Sequence, residues 1–312
     1  MLKNNKLMQR FVSRKLPDGN IGTVHPFHIS MEGHKTAILC KDDDDYDAMV
    51  KILCVTARRK NVKVIIYAVV SNHSHIAVLA TKQADAYEYG WEIKRIYSMW
   101  YSKRYGRTGV MQGIDVKAIP LDTDSHVRNA LAYIPRNAID NGCNVNEYRW
   151  SGFNAMFSQT KPVGNAVRML KKRETEQIMH TGDCLSDVNW LLDDNGFLIP
   201  GSWCDTEYLE QAFENDQAYF MRIIGDANSA QMHQILIDNP RTRLPDTEFL
   251  KYANEKSQLW YRMDLSELPK DKKMRITSYL YRTMSTTVAQ LVRVTGLAII
   301  EVEASIKRKK NQ

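Results

Sequence analysis

The chain has 312 residues, 44% of them hydrophobic, with 43 Lys and Arg against 36 Asp and Glu and a net charge of +7. That length accommodates two or more domains. No apolar run is long enough to suggest a transmembrane helix, and the start Met1-Leu2-Lys3-Asn4-Asn5-Lys6 lacks the apolar core of a signal peptide. Five scattered cysteines without zinc-ligand spacing argue against a zinc site and for reduced thiols in the cytoplasm. The basic balance points to a polyanionic partner such as nucleic acid.

Residues 1–19 read as a polar, basic arm, and residues 21–31 as a first strand, with Pro26 placing it at an edge or bulge. The run Asp42 to Asp45 favours a helix N-terminus. Beyond it Tyr46, Met49, Val50, Leu53 and Cys54 recur at helical spacing. Val62 to Val70 and Ile76 to Ala80 are strand-like runs on either side of Asn72-His73-Ser74-His75. Strand side chains alternate faces, so His73 and His75 point the same way and Ser74 the other. Paired imidazoles on a rigid strand make half of a metal site. The bland alternative is two ordinary histidines on a half-exposed strand.

Ala84 to Tyr105 read as a long helix with Trp91, Ile96, Met99 and Trp100 as its buried stripe. Lys94, Arg95, Lys103, Arg104 and Arg107, interleaved with Tyr97, Tyr101 and Tyr105, would form a basic and aromatic face suited to a nucleic-acid strand. A merely solvated helix face is the competing reading. After a glycine-containing connector, 116–121 read as a short strand and 122–141 as a helix. That helix carries Tyr133-Ile134-Pro135-Arg136-Asn137, where Pro135 is expected to kink or break the ladder. The order strand, helix, strand, strand, helix, strand, helix fits an α+β fold, an antiparallel sheet with helices on its face.

Residues 161–270 read as a mostly helical, charged middle region, with helices over 166–179 and 206–223 and with Pro200, Pro240 and Pro245 as punctuation. Residues 271–312 read as a helix–turn–helix with Gly296 in the turn and a basic end, Lys307 to Lys310, expected to act as a separable DNA-binding segment.

Four segments, in order, resemble the single-tyrosine His-hydrophobe-His ("HUH") transposases, most closely the REP-associated tyrosine transposases of bacteria. They are His25 to Gly33, Asp43-Asp44-Asp45-Tyr46, Tyr67 to Ile76, and Ala132 to Ile139. The resemblance covers residues 20–157 and implies a ferredoxin-like or RRM-like HUH nuclease domain followed by an all-α C-terminal region. Two departures stand out: Ser74 occupies a position that is usually hydrophobic, and Pro135 precedes Asn137 where the family usually places a proline after the asparagine.

The implied activity is metal-dependent nicking of single-stranded or hairpin DNA through a 5′-phosphotyrosine, followed by strand transfer. Tyr133 would be the nucleophile. His73, His75 and Asn137 would hold Mg²⁺ or Mn²⁺. Lys94, Arg95, Tyr101, Lys103, Arg104 and Arg107 would contact DNA. Tyr101 and Tyr105 are the runner-up nucleophiles, His28 a strand-face histidine, and His126 and His180 structural or surface residues. A homodimer, and a cytoplasmic protein associated with the nucleoid when on DNA, fit the same picture. The competing class is a non-catalytic DNA-binding regulator derived from a transposase.

Overall fold

The computed structural model describes residues 10–32, 38–140, 143–225, 244–284 and 286–307. Pro240 and, of the basic end, Arg308 to Lys310 lie outside them. The N-terminal half is a five-stranded antiparallel sheet. Strand β2 (Ile21–Glu32) is central, between β4 (Ser74–Ala80) and β5 (Asp115–Pro120), and β3 (Lys63–Val69) pairs with β4. A short β1 (Val12–Lys15) forms a hairpin with the start of β2. With α1 (Asp43–Arg59) after β2 and α2 (Gln83–Tyr105) after β4, this is the split β-α-β-β-α-β arrangement. The α+β expectation therefore holds.

Alternation along the strands separates two cores. Phe27, Ile29 and Met31 of β2 join Ile76, Val78 and Ala80 of β4 beneath α1 and α2. Val24, Ala77 and Leu79 face the opposite side, where α3 (Asp124–Asp140) lies across β3 and β4. In β3 a register shift between Val64 and Ile66 places both Ile65 and Ile66 in this second core, as a bulge allows.

The acidic run starts α1 as the sequence implies. Asp42 caps the helix by accepting from the Asp45 backbone N–H at 3.1 Å. Pro135, by contrast, does not end α3, which continues to Asp140 with the proline buried inside it. The buried stripe of α2 matches the expected one only in part, with Ile96 and Trp100 packed partly buried against the core. Trp91 and Met99 are exposed, and Ala86, Tyr89, Gly90, Ile93, Tyr97 and Tyr101 face the sheet. Tyrosine can be buried here because its hydroxyl finds a carbonyl. Tyr89 donates to Leu53 O at 3.1 Å and Tyr97 to Leu39 O at 2.9 Å.

The middle region expected to be mostly helical, 161–270, divides: Asp246–Tyr261 is a helix of the C-terminal unit, while residues 158–225 are mostly irregular. They wrap the sheet with little regular structure: a two-residue strand pair, β6 (Asn165–Ala166) with β7 (Leu191–Leu192), and short helices α4 (Lys172–Ile178), α5 (Thr206–Ala212) and α6 (217–225). Val167, Met179, Leu185 and Leu198 enter the core beneath α1 and α2, and Tyr208, Leu209, Phe213 and Phe220 enter the core beneath α3. The wrap also covers the edge of β3, where Asp205 N–H donates to Val64 O at 2.7 Å.

The C-terminal unit begins before residue 271. Helices α7 (Asp246–Tyr261), α8 (Lys270–Thr283), α9 (Val288–Thr295) and α10 (Ile299–Lys307) share one core with Phe249, Leu265, Ile276, Leu280, Leu291 and Val302 at its centre. A cut at 271 would divide that core, so residues 271–312 are not a separable module. Gly296 does close α9, with φ +68 and its N–H on Val292 O at 2.9 Å, the left-handed cap that glycine favours.

Gly90 sets how closely α2 approaches the sheet. A Cβ there would stand 2.6 Å from Val116 Cγ1 and 2.9 Å from Ile29 Cγ2. Alanine gains about 1 kcal/mol over glycine in helix propensity, but overpacking two stiff branched side chains costs about 1–3 kcal/mol. Gly90→Ala is therefore expected to lower the denaturant midpoint of the N-terminal unit, and a raised midpoint would mean that α2 is not seated on the sheet through this glycine.

Candidate active site

His73 and His75 sit at the mouth of the β3–β4 hairpin. A two-residue turn, Ser71-Asn72, is closed by the Val70 N–H on His73 O at 3.0 Å, so His73 belongs to the turn and β4 starts at Ser74. His75 is buried on the α3 face of the sheet, as alternation requires, and its ring centroid lies 5.1 Å from that of His73. Ser74 points to the other face, beneath α1 and α2, where its hydroxyl has no hydrogen-bond partner among the described residues.

Helix α3 brings Tyr133 and Asn137 to the same place. Tyr133 is 37% exposed, with its ring centroid 5.1 Å from His75. Asn137, one turn further and only 2% exposed, points its Oδ1 at His73 Nε2, 3.2 Å away. Its amide nitrogen donates back along the helix to Tyr133 O at 3.2 Å and Ile134 O at 3.0 Å, the two carbonyls that immediately precede Pro135. This side-chain clasp, with the burial of Pro135, accompanies a helix that passes through a residue expected to break it.

A third imidazole joins them. His28 of β2 places Nε2 at 3.1 Å from His75 Nδ1, and its ring lies 6.1 Å from Tyr133. The sequence gives His28 as an ordinary strand-face histidine. The signal that marks it is its place on the even-numbered face of β2, the face that His75 shares. Burial pushes the His75 imidazole down to about 2, with His73 and His28 adding to the effect. Burial also pushes His28 down to about 4, with a smaller contribution from His126. Both rings are therefore neutral at pH 7, the form in which imidazole binds metals.

Among the described residues no group of three or more His, Cys, Asp or Glu side chains is arranged to hold a metal ion. The donors available here are two imidazoles and an amide oxygen, and their protonation suits a cation. When His73 Nδ1 donates to Asn72 Oδ1, 2.9 Å away, the lone pair lies on Nε2. That lone pair faces Asn137 Oδ1, another acceptor. Two acceptors 3.2 Å apart are held favourably by a proton or a cation at the site. Ligands at about 2.1 Å from an octahedral ion lie about 3 Å from one another. His75 has its Nδ1 against His28, and when that atom donates, Nε2 carries the lone pair.

The face around this cluster is partly open. Helix α3 covers β3 and β4 but leaves β5 bare, so Lys117 and Ile119 are exposed on the same face as Tyr133. Lys117 pairs in register with Ser30, which in turn pairs with His75. Lys117 carries no motif of its own, but alternation in a strand with Val116 and Ala118 turned to the core places it on this face.

The expected DNA-contacting residues of α2 lie beneath the other face of the sheet. Tyr101 is buried. Lys94 donates to Ile114 O at 2.6 Å, and Arg95 pairs with Glu92 at 2.7 Å. Arg104 is held by Asp42 at 2.8 Å, Asp44 at 3.1 Å and Asp45 at 2.6 Å. Lys103 and Arg107 are exposed. The runner-up nucleophiles are no better placed. Burial raises the Tyr101 hydroxyl above its ordinary value, and burial with the Asp45 hydrogen bond raises that of Tyr105 far above it. His126 is exposed near the start of α3, and His180 lies in the wrap, 6.2 Å from Trp100.

Comparison with protein families, with curated proteins and with solved structures gives no match. Among the described residues no helix is long and apolar enough to cross a membrane.

Removing the Ser74 hydroxyl tests the two-faced reading of the hairpin. An unpaired buried hydroxyl is costly, so Ser74→Ala is expected to leave stability unchanged or raise it by up to about 1 kcal/mol in a denaturant melt. A loss well beyond that would place Ser74 in a hydrogen-bond network and upset the assignment of faces.

Proposed function

We propose that the chain is an HUH-type single-strand DNA endonuclease that works as a transposase, with Tyr133 as its nucleophile. One observation carries this: a half-exposed tyrosine stands against two neutral histidines on one sheet face, His75 buried and His28 part-buried, with Asn137 of the same helix reaching the third imidazole, His73.

In this reading the Tyr133 phenol oxygen attacks a backbone phosphorus of single-stranded DNA. The bond from phosphorus to the 3′ oxygen breaks, the phenol proton leaves to solvent along the exposed edge of the ring, and the departing oxygen takes up a proton. The products are a 5′-phosphotyrosine and a free 3′-hydroxyl. Attack by a 3′-hydroxyl on that linkage re-forms a DNA phosphodiester and returns the phenol, so strand transfer needs no external energy source. A divalent cation such as Mg²⁺ or Mn²⁺, when bound by His73, His75 and Asn137, supplies charge neutralisation and orientation at the phosphate. His28 holds His75 in place, and Asn137 joins the helix of the nucleophile to the histidine turn. Lys117 and Ile119 offer a cation and an apolar surface to the strand on the bare part of the sheet. A tyrosine phenol titrates near ~10, so the reading requires a cation near Tyr133.

Covalent capture of labelled single-stranded DNA in Mn²⁺ tests the core of the proposal. Tyr133→Phe is expected to abolish the adduct, a loss of at least about a hundredfold, with DNA affinity kept, because only the hydroxyl that forms the covalent bond is removed. His73→Ala and His75→Ala are expected to abolish it too. Full adduct from Tyr133→Phe, with loss in Tyr105→Phe instead, would assign the chemistry to the other face of the sheet.

The position of the strand has its own test. Lys117→Ala is expected to weaken single-strand binding several-fold and to flatten the slope of log affinity against log salt by about 0.7, the value for one phosphate contact on a single strand. Lys103→Ala, beneath the other face, is expected to leave both unchanged. The reverse pattern would move the DNA to α2.

A further inference from the structure

The C-terminal unit touches the hairpin turn that carries His73, and the contact is a buried carboxylate. Asp246, at the first position of α7, is 2% exposed, and both of its oxygens are saturated. Oδ2 accepts from Arg293 Nε at 2.6 Å and from the Ser71 hydroxyl at 2.7 Å. Oδ1 accepts from Arg293 Nη2 at 2.9 Å and from Gln290 Nε2 at 3.0 Å. Arg293 and Gln290 belong to α9, the first helix of the pair joined at Gly296. Ser71 belongs to the two-residue turn and stands two positions before His73.

Ser71 is bound on its other side as well. Its carbonyl accepts the backbone N–H groups of Leu39 at 2.7 Å and Cys40 at 2.9 Å. Ile38, next in the chain, packs into the core of the C-terminal unit. The turn is thus held between the sheet and the C-terminal helices, and the hydrogen bond that the Ser71 hydroxyl makes across the boundary ends on an ion pair with α9.

We propose that Asp246 is a positioning residue, which fixes the β3–β4 turn through Ser71 and so sets the place of His73 relative to His75 and Asn137. The C-terminal helices are then a structural part of the nuclease site, and whatever moves α9 moves a metal ligand. This rests on the reading of His73 as a ligand, and it goes beyond that reading by giving the C-terminal unit a role in building the site.

The test is made on the full-length protein with Ser71→Ala, which removes the cross-boundary donor and leaves the Asp246–Arg293 pair intact, and with Ser71→Thr, which restores a hydroxyl. Mn²⁺ binding is followed by the loss of its free electron-spin resonance signal. Amide hydrogen exchange is followed at Leu39, Cys40 and Val70, whose N–H groups close the turn. Ser71→Ala is expected to weaken Mn²⁺ binding about tenfold and to speed exchange at those three amides at least about tenfold, the scale of one lost hydrogen bond to a charged group. Exchange within α7–α10 should not change, and Ser71→Thr should recover both values. Unchanged exchange at the three amides, or equal acceleration throughout the protein, overturns the proposal. If the wild-type protein binds no Mn²⁺, the metal assignment falls while the exchange result still decides the clamp. If exchange responds but a measurable Mn²⁺ affinity does not, the clamp does not reach His73 and the proposal is overturned.

Discussion

The pairing of β2 with β4 determines where the two strand histidines of the site stand. His75 is opposite Ser30 and His28 opposite Ala77, so the two imidazoles meet on a diagonal of the ladder. A slip of one residue in either strand would turn its histidine into the core beneath α1 and α2. What prevents the slip is the other face. Phe27, Ile29 and Met31 alternate with the polar positions of β2, and Ile76, Val78 and Ala80 do the same in β4. His75 is thus buried and His28 part-buried on the α3 face, and the desolvation that depresses their basicity is a consequence of that placement.

Much of this was legible in the chain itself. The hairpin strands, the Asp42-capped helix, the same-face placement of His73 and His75 and the one-turn spacing of Tyr133 and Asn137 are all local in sequence, and local periodicity reports them. The contents of α2 were not legible. Trp91 and Met99 are more hydrophobic than Tyr89 and Gly90, yet the latter face the sheet, since glycine permits the approach and tyrosine hydroxyls reach carbonyls. Groups whose partners are distant in sequence were also missed. His28 acquires its meaning from His75, Lys117 from the gap that α3 leaves over β5, and Ser71 from Asp246. The charged stretch 161–270 reads as mostly helical, but the apolar residues of 158–225 do not serve a helix bundle of their own. They are in fact divided between two cores on opposite faces of the sheet.

Pro135 shows how tertiary context overrides a local rule. A proline within a helix costs about 3 kcal/mol or more, and by itself that predicts a break between Tyr133 and Asn137. Here Ile134, Pro135 and Ala138 are all buried, and the Asn137 amide bonds the two carbonyls just before the proline. The same two hydrogen bonds fix which end of the amide faces His73. The residue that threatens the geometry is therefore spanned by the Asn137 side chain, whose contacts orient a donor atom toward the histidine pair.

Gly90 carries a consequence for how this sequence can drift. Its Cα lies against two branched side chains, one from the central strand and one from β5, so any replacement must displace both at once. The solvent side of the same helix, with Trp91, Arg95 and Lys103, meets no such limit. Substitutions should accumulate on the visible, charged surface of α2 while its silent contact position stays fixed. A distant cousin of this chain would then share little of its charge pattern, and would be recognised by one glycine midway along a helix and by the spacing of its imidazoles.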